Sequence, residues 1–279
     1  MSTLKPVSIL ADVRSMRHAL SWSAVLPLYV AALVAAHRSP GTIRLHRHYL
    51  RHVAAFAPRP FDAKPAQLVQ ALAVPSWSAE TRKSCRSVIV AFYRWAHGAG
   101  HIAVDPSLGL PSISVPVGQA RPAPDHVLAR ALATADPRTR LMLLLAAHGG
   151  LRCCEVARVH REDLVDGVLY VTGKGGKTRV IPVINDELLS AIGRADGWLF
   201  PGQDHGHLSP GHVSRILARA LPDGWTGHTL RHRFATRAYA ATRDVLAVGR
   251  ALGHSRPETT RRYVQLPPDA LLAVVRGAA

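Results

Sequence analysis

The sequence predicts a mainly α protein with one small antiparallel β-sheet confined to its C-terminal half. Three observations carry that reading. Apolar residues recur at helical spacing through most of the chain, with Ser, Thr, Asp and Pro standing where helices would begin. One segment alternates instead: VLYVT (168–172) and TRVIPV (178–183) flank the glycine-rich turn GKGGK (173–177), the pattern of a β-hairpin. A stretch rich in Pro, Gly and Ser, DPSLGLPSISVPVGQARPAPD (105–125), separates two helical halves and reads as a linker.

In order along the chain, Ser21 and Ser23 are placed to cap a helix running to about His37. Its apolar stretch, Trp22 to Ala36, is too short to span a bilayer and contains Pro27, so it reads as a core helix. SPGT (39–42) breaks it, and Thr42 is placed to cap a second helix reaching about Ala57. That helix offers Ile43, Leu50, Val53 and Phe56 to a core, while Arg44, Arg47, His48, Arg51 and His52 fill much of the remaining surface. A short helix follows near 65–73. A longer one runs from Trp77–Ser78 to about His97, with Val88, Ile89, Phe92, Tyr93 and Trp95 in helical period and Arg82, Lys83 and Arg86 in its early turns.

Beyond the linker, helices are predicted near 125–134 and 138–148, then the hairpin, then helices again from about Ser209. Asp244 is placed to cap a helix whose apolar face includes Leu246 and Leu252, and Gly253 to end it. Ser255 and Glu258 form a capping box for the next helix, with Pro257 in its first turn. His254 therefore falls at a sharp helix–helix junction, and Tyr263 about two turns further on.

The composition narrows the partner. Basic residues number 35 against 18 acidic, a formal charge of +17, which suits a polyanion, either nucleic acid or a membrane surface. The start, MSTLKPVSIL, lacks the charged n-region and long apolar run of a signal peptide. Cys85, Cys153 and Cys154 make no disulfide framework and no zinc-binding C-x-x-C pair, which fits a reducing cytoplasm.

Four short stretches of the second half carry chemistry suited to a phosphodiester. In GGLRCCE (149–155), Arg152 and Glu155 lie one helical turn apart and can interact, although a surface ion pair reads the same way. GKGGKTR concentrates Lys174 and Lys177, two of the chain's five lysines, in one turn. Lysine's pKa can fall enough to donate a proton whereas arginine's cannot, yet an exposed hairpin tip would look alike. HTLRHRFAT (228–236) sets His228 and Arg231 three apart, an imidazole beside a guanidinium that can grip two phosphate oxygens. In LGHSRPETTRRY, Tyr263 stands nine residues after His254; alone it would be a surface aromatic among arginines.

Taken in order, these four stretches resemble the tyrosine recombinase (phage integrase) family: its first arginine box, lysine hairpin, H-x-x-R box and histidine–tyrosine box, spanning Gly150 to Tyr263. The spacings of 23 from Arg231 to His254 and 9 from His254 to Tyr263 are typical of it. The first half is similar to the family's helical core-binding domain. The resemblance implies a core-binding (SAM-like) domain at 1–110, a linker at 111–124 and a catalytic domain at 125–279.

The resemblance also implies roles. Tyr263 would be the nucleophile, giving a 3′-phosphotyrosyl bond and a free 5′-hydroxyl. Arg152 and Arg231 would clamp the non-bridging oxygens, and Lys174 would be the general acid for the leaving oxygen. His228 would assist proton transfer, His254 would hydrogen-bond the phosphate, and Glu155 would orient the site beside Arg152. Lys177 would contact phosphate or nothing. No cofactor and no metal are implied, because the covalent ester stores the bond energy.

Double-stranded core sites would be the substrate, with Arg44, Arg47, Arg51, Arg82 and Arg86 facing DNA and a homotetramer exchanging strands through a Holliday junction. The tail PPDALLAVVRGAA would dock on a neighbouring subunit, and a directionality factor would be a further partner. The expected setting is the bacterial cytoplasm, associated with the nucleoid. The chain reaches the core-binding helices almost at once, so a compact integrase without an arm-binding domain is expected. Alternatives within the same chemistry are Xer-type chromosome dimer resolution, a transposon recombinase and a type IB topoisomerase. A DNA-binding relative without catalysis is the non-enzymatic alternative. Gln265 stands where the family frequently has histidine, and Cys153–Cys154 where a small polar residue is common.

Overall fold

The computed structural model describes residues 20–116, 120–173, 176–253 and 276–277. The readings made for Lys174, His254, Ser255, Pro257, Glu258 and Tyr263, and for the tail apart from residues 276–277, lie outside the described residues. The chain falls into two compact units, Met1–Pro116 and Val117–Ala279.

The first unit is helical: α1 (Trp22–Ala35), α2 (Pro40–Ala54), α3 (Pro65–Leu72) and α4 (Ala79–Gly98). The cap of α2 is Ser39 and not Thr42. The Ser39 hydroxyl accepts the Thr42 amide at 3.2 Å, because Pro40, with its preset φ and no N–H to leave unpaired, starts the helix three residues earlier than expected. Ser78 caps α4 in the same way, accepting from the Thr81 amide at 3.2 Å. Ser21 stands at the start of α1 but makes no side-chain cap.

The core of this unit forms where α1, α2 and α4 turn their apolar faces together, around Tyr29, Leu50, Val53, Ile89 and Phe92. Tyr29 meets Phe92 edge-on at 5.2 Å and passes its hydroxyl to His46 Nδ1 at 2.9 Å, so the one polar atom of a buried ring is satisfied. Phe92 is fully enclosed, and truncating it to alanine should cost about 3–5 kcal/mol.

The second unit contains α5 (Asp125–Thr134), α6 (Pro137–His148), the short α7 (Cys153–Val156), β1 (Leu164–Val165), β2 (Val168–Thr172), β3 (Thr178–Pro182), α8 (Asp186–Gly193), β4 (Pro201–Asp204), α9 (Pro210–Ala220), α10 (Gly227–Thr242) and α11 (Val245–Leu252). Its axis is α6, which is buried from Met142 through Ala147 and capped by Asp136, whose carboxylate accepts the Arg138 and Thr139 amides. The predicted hairpin is present, with Leu169 opposite Ile181 and Thr172 opposite Thr178. A third strand, β1, extends it to the order β1-β2-β3; at two residues it is too short to show a period in sequence.

One helix face is also corrected. Leu246 is 59% exposed, and the buried face of α11 is Val248 with Leu252. Six residues at 3.6 per turn put Leu246 about 120° away from Leu252 around the helix. Ala123 is buried in the second unit and donates its amide to the Thr229 carbonyl at 3.1 Å. Among the described residues no helix is long and apolar enough to cross a membrane.

Candidate active site

The site is built around one buried carboxylate. Arg152 is the N-cap residue of α7, and Glu155 is its third residue. Glu155 Oε2 accepts the Arg152 amide at 2.9 Å, and Oε1 accepts from Arg152 Nη1 at 2.8 Å. The approach to this cap requires glycine. Gly150 has φ +62°, and a Cβ there would lie 2.6 Å from the Phe234 ring.

The Glu155 side chain has no solvent exposure, and the pair is therefore not the surface contact that the sequence alone left open. The same carboxylate is held from the hairpin by Arg179, whose Nη1 and Nη2 donate to Oε1 and Oε2 at 2.9 and 2.8 Å, a bidentate fork. Arg179 Nε donates to the Ala251 carbonyl at 2.7 Å, tying the hairpin to the end of α11. From α10, Arg231 brings Nη1 to 3.8 Å from Glu155 Oε2.

Arg231 is almost fully buried and donates to the Gly150 and Leu252 carbonyls. Arg152 Nη1 also reaches Leu252 O, at 3.4 Å. Two guanidiniums from motifs far apart in sequence thus meet one carbonyl, the last before the Gly253 turn. Gly253 takes φ +64° as the C-cap of α11, and a Cβ there would lie 3.0 Å from Arg179 Cδ.

The electrostatics follow from this packing. Burial pushes the Glu155 pKa up, but the hydrogen bonds from Arg179 and the Arg152 amide, with the charges of both arginines, outweigh it and bring it down to about 2. Three guanidiniums around one carboxylate leave an excess of positive charge. Arg152, with its side chain 37% exposed, is where that charge meets solvent. The arrangement can hold an oxyanion of phosphate type: a guanidinium has five N–H donors, so carbonyl and phosphate contacts are compatible on one group.

The other sequence candidates are placed as follows. His228 stands exposed in the first turn of α10, its Nε2 2.9 Å from Nε2 of His232, while Arg231 turns inward from the same helix. Gly173, which leads into the lysine turn, lies against Glu155: a Cβ there would stand 3.4 Å from Oε1. Lys177 is exposed.

In the first unit Arg44, Arg47 and Arg51 are exposed along α2. Arg82 and Arg86 differ. Arg82 Nη2 donates to the Val74 carbonyl at 2.9 Å, and Arg86 donates to Pro111 and Leu110 at 2.7 and 3.0 Å, so both guanidiniums are engaged within their own unit. Arg179 is the residue the sequence reading missed. A signal for it existed: it shares a strand face with the buried Ile181 and pairs with the buried Val171, so it is a charge on the inner side of a hairpin.

A small sheet whose hairpin delivers an arginine to a buried carboxylate, within a helical domain, defines a cationic site organised by three arginines. The phage integrase family profile matches residues 125–269, just over half of the chain. The chain belongs to that family, the tyrosine recombinases. It is 33% identical over 226 residues to the tyrosine recombinase XerC of Rhodospirillum centenum, covering 72% of this chain and 66% of that protein. It is 32% identical over 220 residues to that of Xylella fastidiosa strain M23, covering 72% and 75%. Against several further XerC relatives the chain spans only about half of their length, 51% for that of Mesorhizobium japonicum. In fold it is similar to a lambda integrase dimer bound to a COC′ core site, with TM-score 0.73, 22% identity and coverage of 94% of this chain and 81% of that one. A lambda integrase tetramer bound to a Holliday junction matches with TM-score 0.71, 22% identity and coverage of 92% and 84%.

Proposed function

We propose that this protein is a site-specific DNA strand transferase that cuts with Tyr263. The tyrosine oxygen bonds to phosphorus, the bond from phosphorus to the 5′-oxygen breaks, and Lys174 gives that oxygen its proton. Arg152 and Arg231 stabilise the charge that develops on the non-bridging oxygens. The reverse reaction with a second strand's 5′-hydroxyl completes exchange, so the energy of the phosphodiester is kept and no nucleotide is consumed. The observation that supports this reading is the convergence of Arg152 and Arg231 on the Leu252 carbonyl, immediately before the Gly253 C-cap and two residues ahead of His254 in the sequence.

The substrate would be short double-stranded core sites, engaged by the exposed arginines of α2 and by a homotetramer of which the lambda integrase assembly on a Holliday junction is the analogue. The tail after Tyr263 would dock on a neighbouring subunit, and the domain division at 1–110, 111–124 and 125–279 would let two domains grip a duplex. Integration or excision of a mobile element is the role proposed. The identity with XerC proteins favours a second role for the same chemistry, Xer-type chromosome dimer resolution.

The test uses a library of randomised duplexes carrying a central nick, so that cleavage releases a short fragment and traps the covalent complex. Wild-type protein is expected to give denaturant-resistant DNA adducts, and Tyr263→Phe none. Sequencing the trapped DNA gives the site, and its match to the gene's flanks or to a chromosomal locus separates the two roles. An adduct formed by Tyr263→Phe would overturn the assignment.

A further inference from the structure

We infer that His232 is a positioning residue that fixes the tautomer of His228, so that His228 serves the phosphate as a neutral hydrogen-bond donor and not as a proton acceptor. The inference rests on the reading of the site as a phosphodiester-cleaving centre, but its geometric part stands independently.

Helix α10 places the two residues four apart, one above the other, with ring centroids 4.3 Å apart and the two Nε2 atoms at 2.9 Å. At that separation one nitrogen carries the hydrogen and the other is bare. A third contact decides which. The backbone amide of Arg121 donates to His232 Nδ1 at 3.0 Å. A backbone N–H can only donate, so Nδ1 is the bare nitrogen of His232, and the proton of that imidazole sits on Nε2. The His232 Nε2–H therefore donates to His228 Nε2. That atom is bare in turn, and the proton of His228 sits on Nδ1.

The donor at the head of this relay is held firmly. The Arg121 guanidinium lies over the Trp225 ring at 4.5 Å, and two residues on, the Ala123 amide is bonded to the Thr229 carbonyl at 3.1 Å. Gly224, at φ +83°, leaves room for the guanidinium, since a Cβ there would stand 3.3 Å from Arg121 Nη2. The segment at residues 120–124, within the linker expected from the sequence, thus supplies the amide that orders the histidine pair.

The chemical consequence is directional. If His228 took up a proton, it would be on Nε2, and two N–H groups would then face each other at 2.9 Å, which breaks the contact with His232. The pair therefore favours a neutral His228 offering Nδ1–H. A neutral imidazole held by its neighbours acts as an electrophilic hydrogen-bond donor to developing oxyanion charge. This narrows the role expected from sequence, assistance in proton transfer, to donation of a hydrogen bond.

The experiment is nitrogen-resolved NMR of the full chain labelled with ¹⁵N-histidine, with His228→Gln and His232→Gln used for assignment. The expected spectrum shows His228 protonated on Nδ1 and bare on Nε2, with His232 the reverse. A wild-type His228 protonated on Nε2 overturns the inference whatever the enzyme does. Arg121→Pro, which deletes the amide hydrogen, is expected to scramble both tautomers, whereas Arg121→Ala, which keeps it, is not. Equal spectra for the two variants also overturn it.

Single-turnover adduct formation on the recovered DNA site then reads the function. His232→Phe should slow it on the order of tenfold or more. His232→Gln, which keeps an N–H near His228, should recover most of the rate, and DNA affinity should stay unchanged in both. Equal rates in the Phe and Gln variants would sink the functional half. Absence of any wild-type adduct would instead sink the strand-transfer reading and leave the tautomer result standing.

Discussion

The two units use arginine in opposite ways. On α2 of the first unit, Arg44, Arg47 and Arg51 are exposed. In the second unit, Arg179 and Arg231 are buried, and with the half-exposed Arg152 they are fixed around one carboxylate by bonds to Glu155 and to the carbonyls of residues 150, 251 and 252. The first arrangement supplies charge without position, the second supplies position with charge. A surface that follows a phosphate backbone needs the former, because any of several side chains can meet any of several phosphates. A centre that must stabilise one transition state needs the latter, because electrostatic catalysis depends on dipoles and charges that do not have to reorganise.

The largest effect expected from breaking the contrast is at Glu155. Glu155→Gln keeps the shape but leaves the guanidiniums without their counter-charge in a buried place, a change expected to cost about 3–5 kcal/mol of unfolding free energy and to abolish adduct formation. Urea denaturation of the wild type and the variant measures the first effect, and the nicked-duplex assay the second. A stability loss within experimental error would mean that the carboxylate is not the organising group.

The same residue predicts an acid limb. Its pKa lies at about 2 in the fold against an ordinary 4.5, a depressed carboxylate. Its stabilisation is therefore fully present above pH 4.5 and is lost as the pH falls toward 2. The shift corresponds to about 3 kcal/mol at 1.36 kcal/mol per unit. Glu155→Gln should lose most of the pH dependence of stability in that window.

Next in size is Arg179→Lys, which preserves charge but not the fork. A lysine can replace one of the two contacts to Glu155 and cannot also reach the Ala251 carbonyl, so a loss of about 1.5–3 kcal/mol is expected. Because Arg179 links the hairpin both to Glu155 and to the end of α11, adduct formation should fall more steeply than stability alone would explain. A variant with normal rate and normal stability would show that the fork is dispensable.

The site's legibility in the sequence follows the same division. Most helices are legible because serine, aspartate and proline mark their starts, although α2 starts behind Ser39 and not Thr42, and the hairpin is legible because VLYVT and TRVIPV alternate around a glycine turn. The pairing of Arg152 with Glu155 was readable from one turn of helix, but its burial was not, since burial depends on α10 and the hairpin closing over it. Arg179 is not legible because in the sequence it is one arginine among thirty. It stands out only once the strand register sets it beside Ile181 and opposite Val171. Leu246 has a simpler account: an apolar residue near a helix start shares the buried face only where the 3.6-residue turn carries it there, and Leu252 lies about 120° away around the helix.

The smallest expected effects decide which arginines of the first unit face DNA, and the structure divides the five candidates unevenly. Arg47 is exposed, and Arg47→Gln should leave the unfolding free energy within about 0.5 kcal/mol of wild type. If it contacts a phosphate, the slope of log affinity against log salt should fall by about 0.9, since one fewer counterion is released. Arg86 carries the opposite prediction. Its guanidinium is spent on the Leu110 and Pro111 carbonyls, so Arg86→Gln should cost about 1 kcal/mol of stability and leave the salt slope where it was. Fluorescence anisotropy with the trapped DNA site at several salt concentrations, run on both variants, separates the two kinds of arginine by slope alone. Equal slopes would mean that exposure on α2 does not predict phosphate contact. A reduced slope for Arg86→Gln would mean that its carbonyl bonds open when DNA binds.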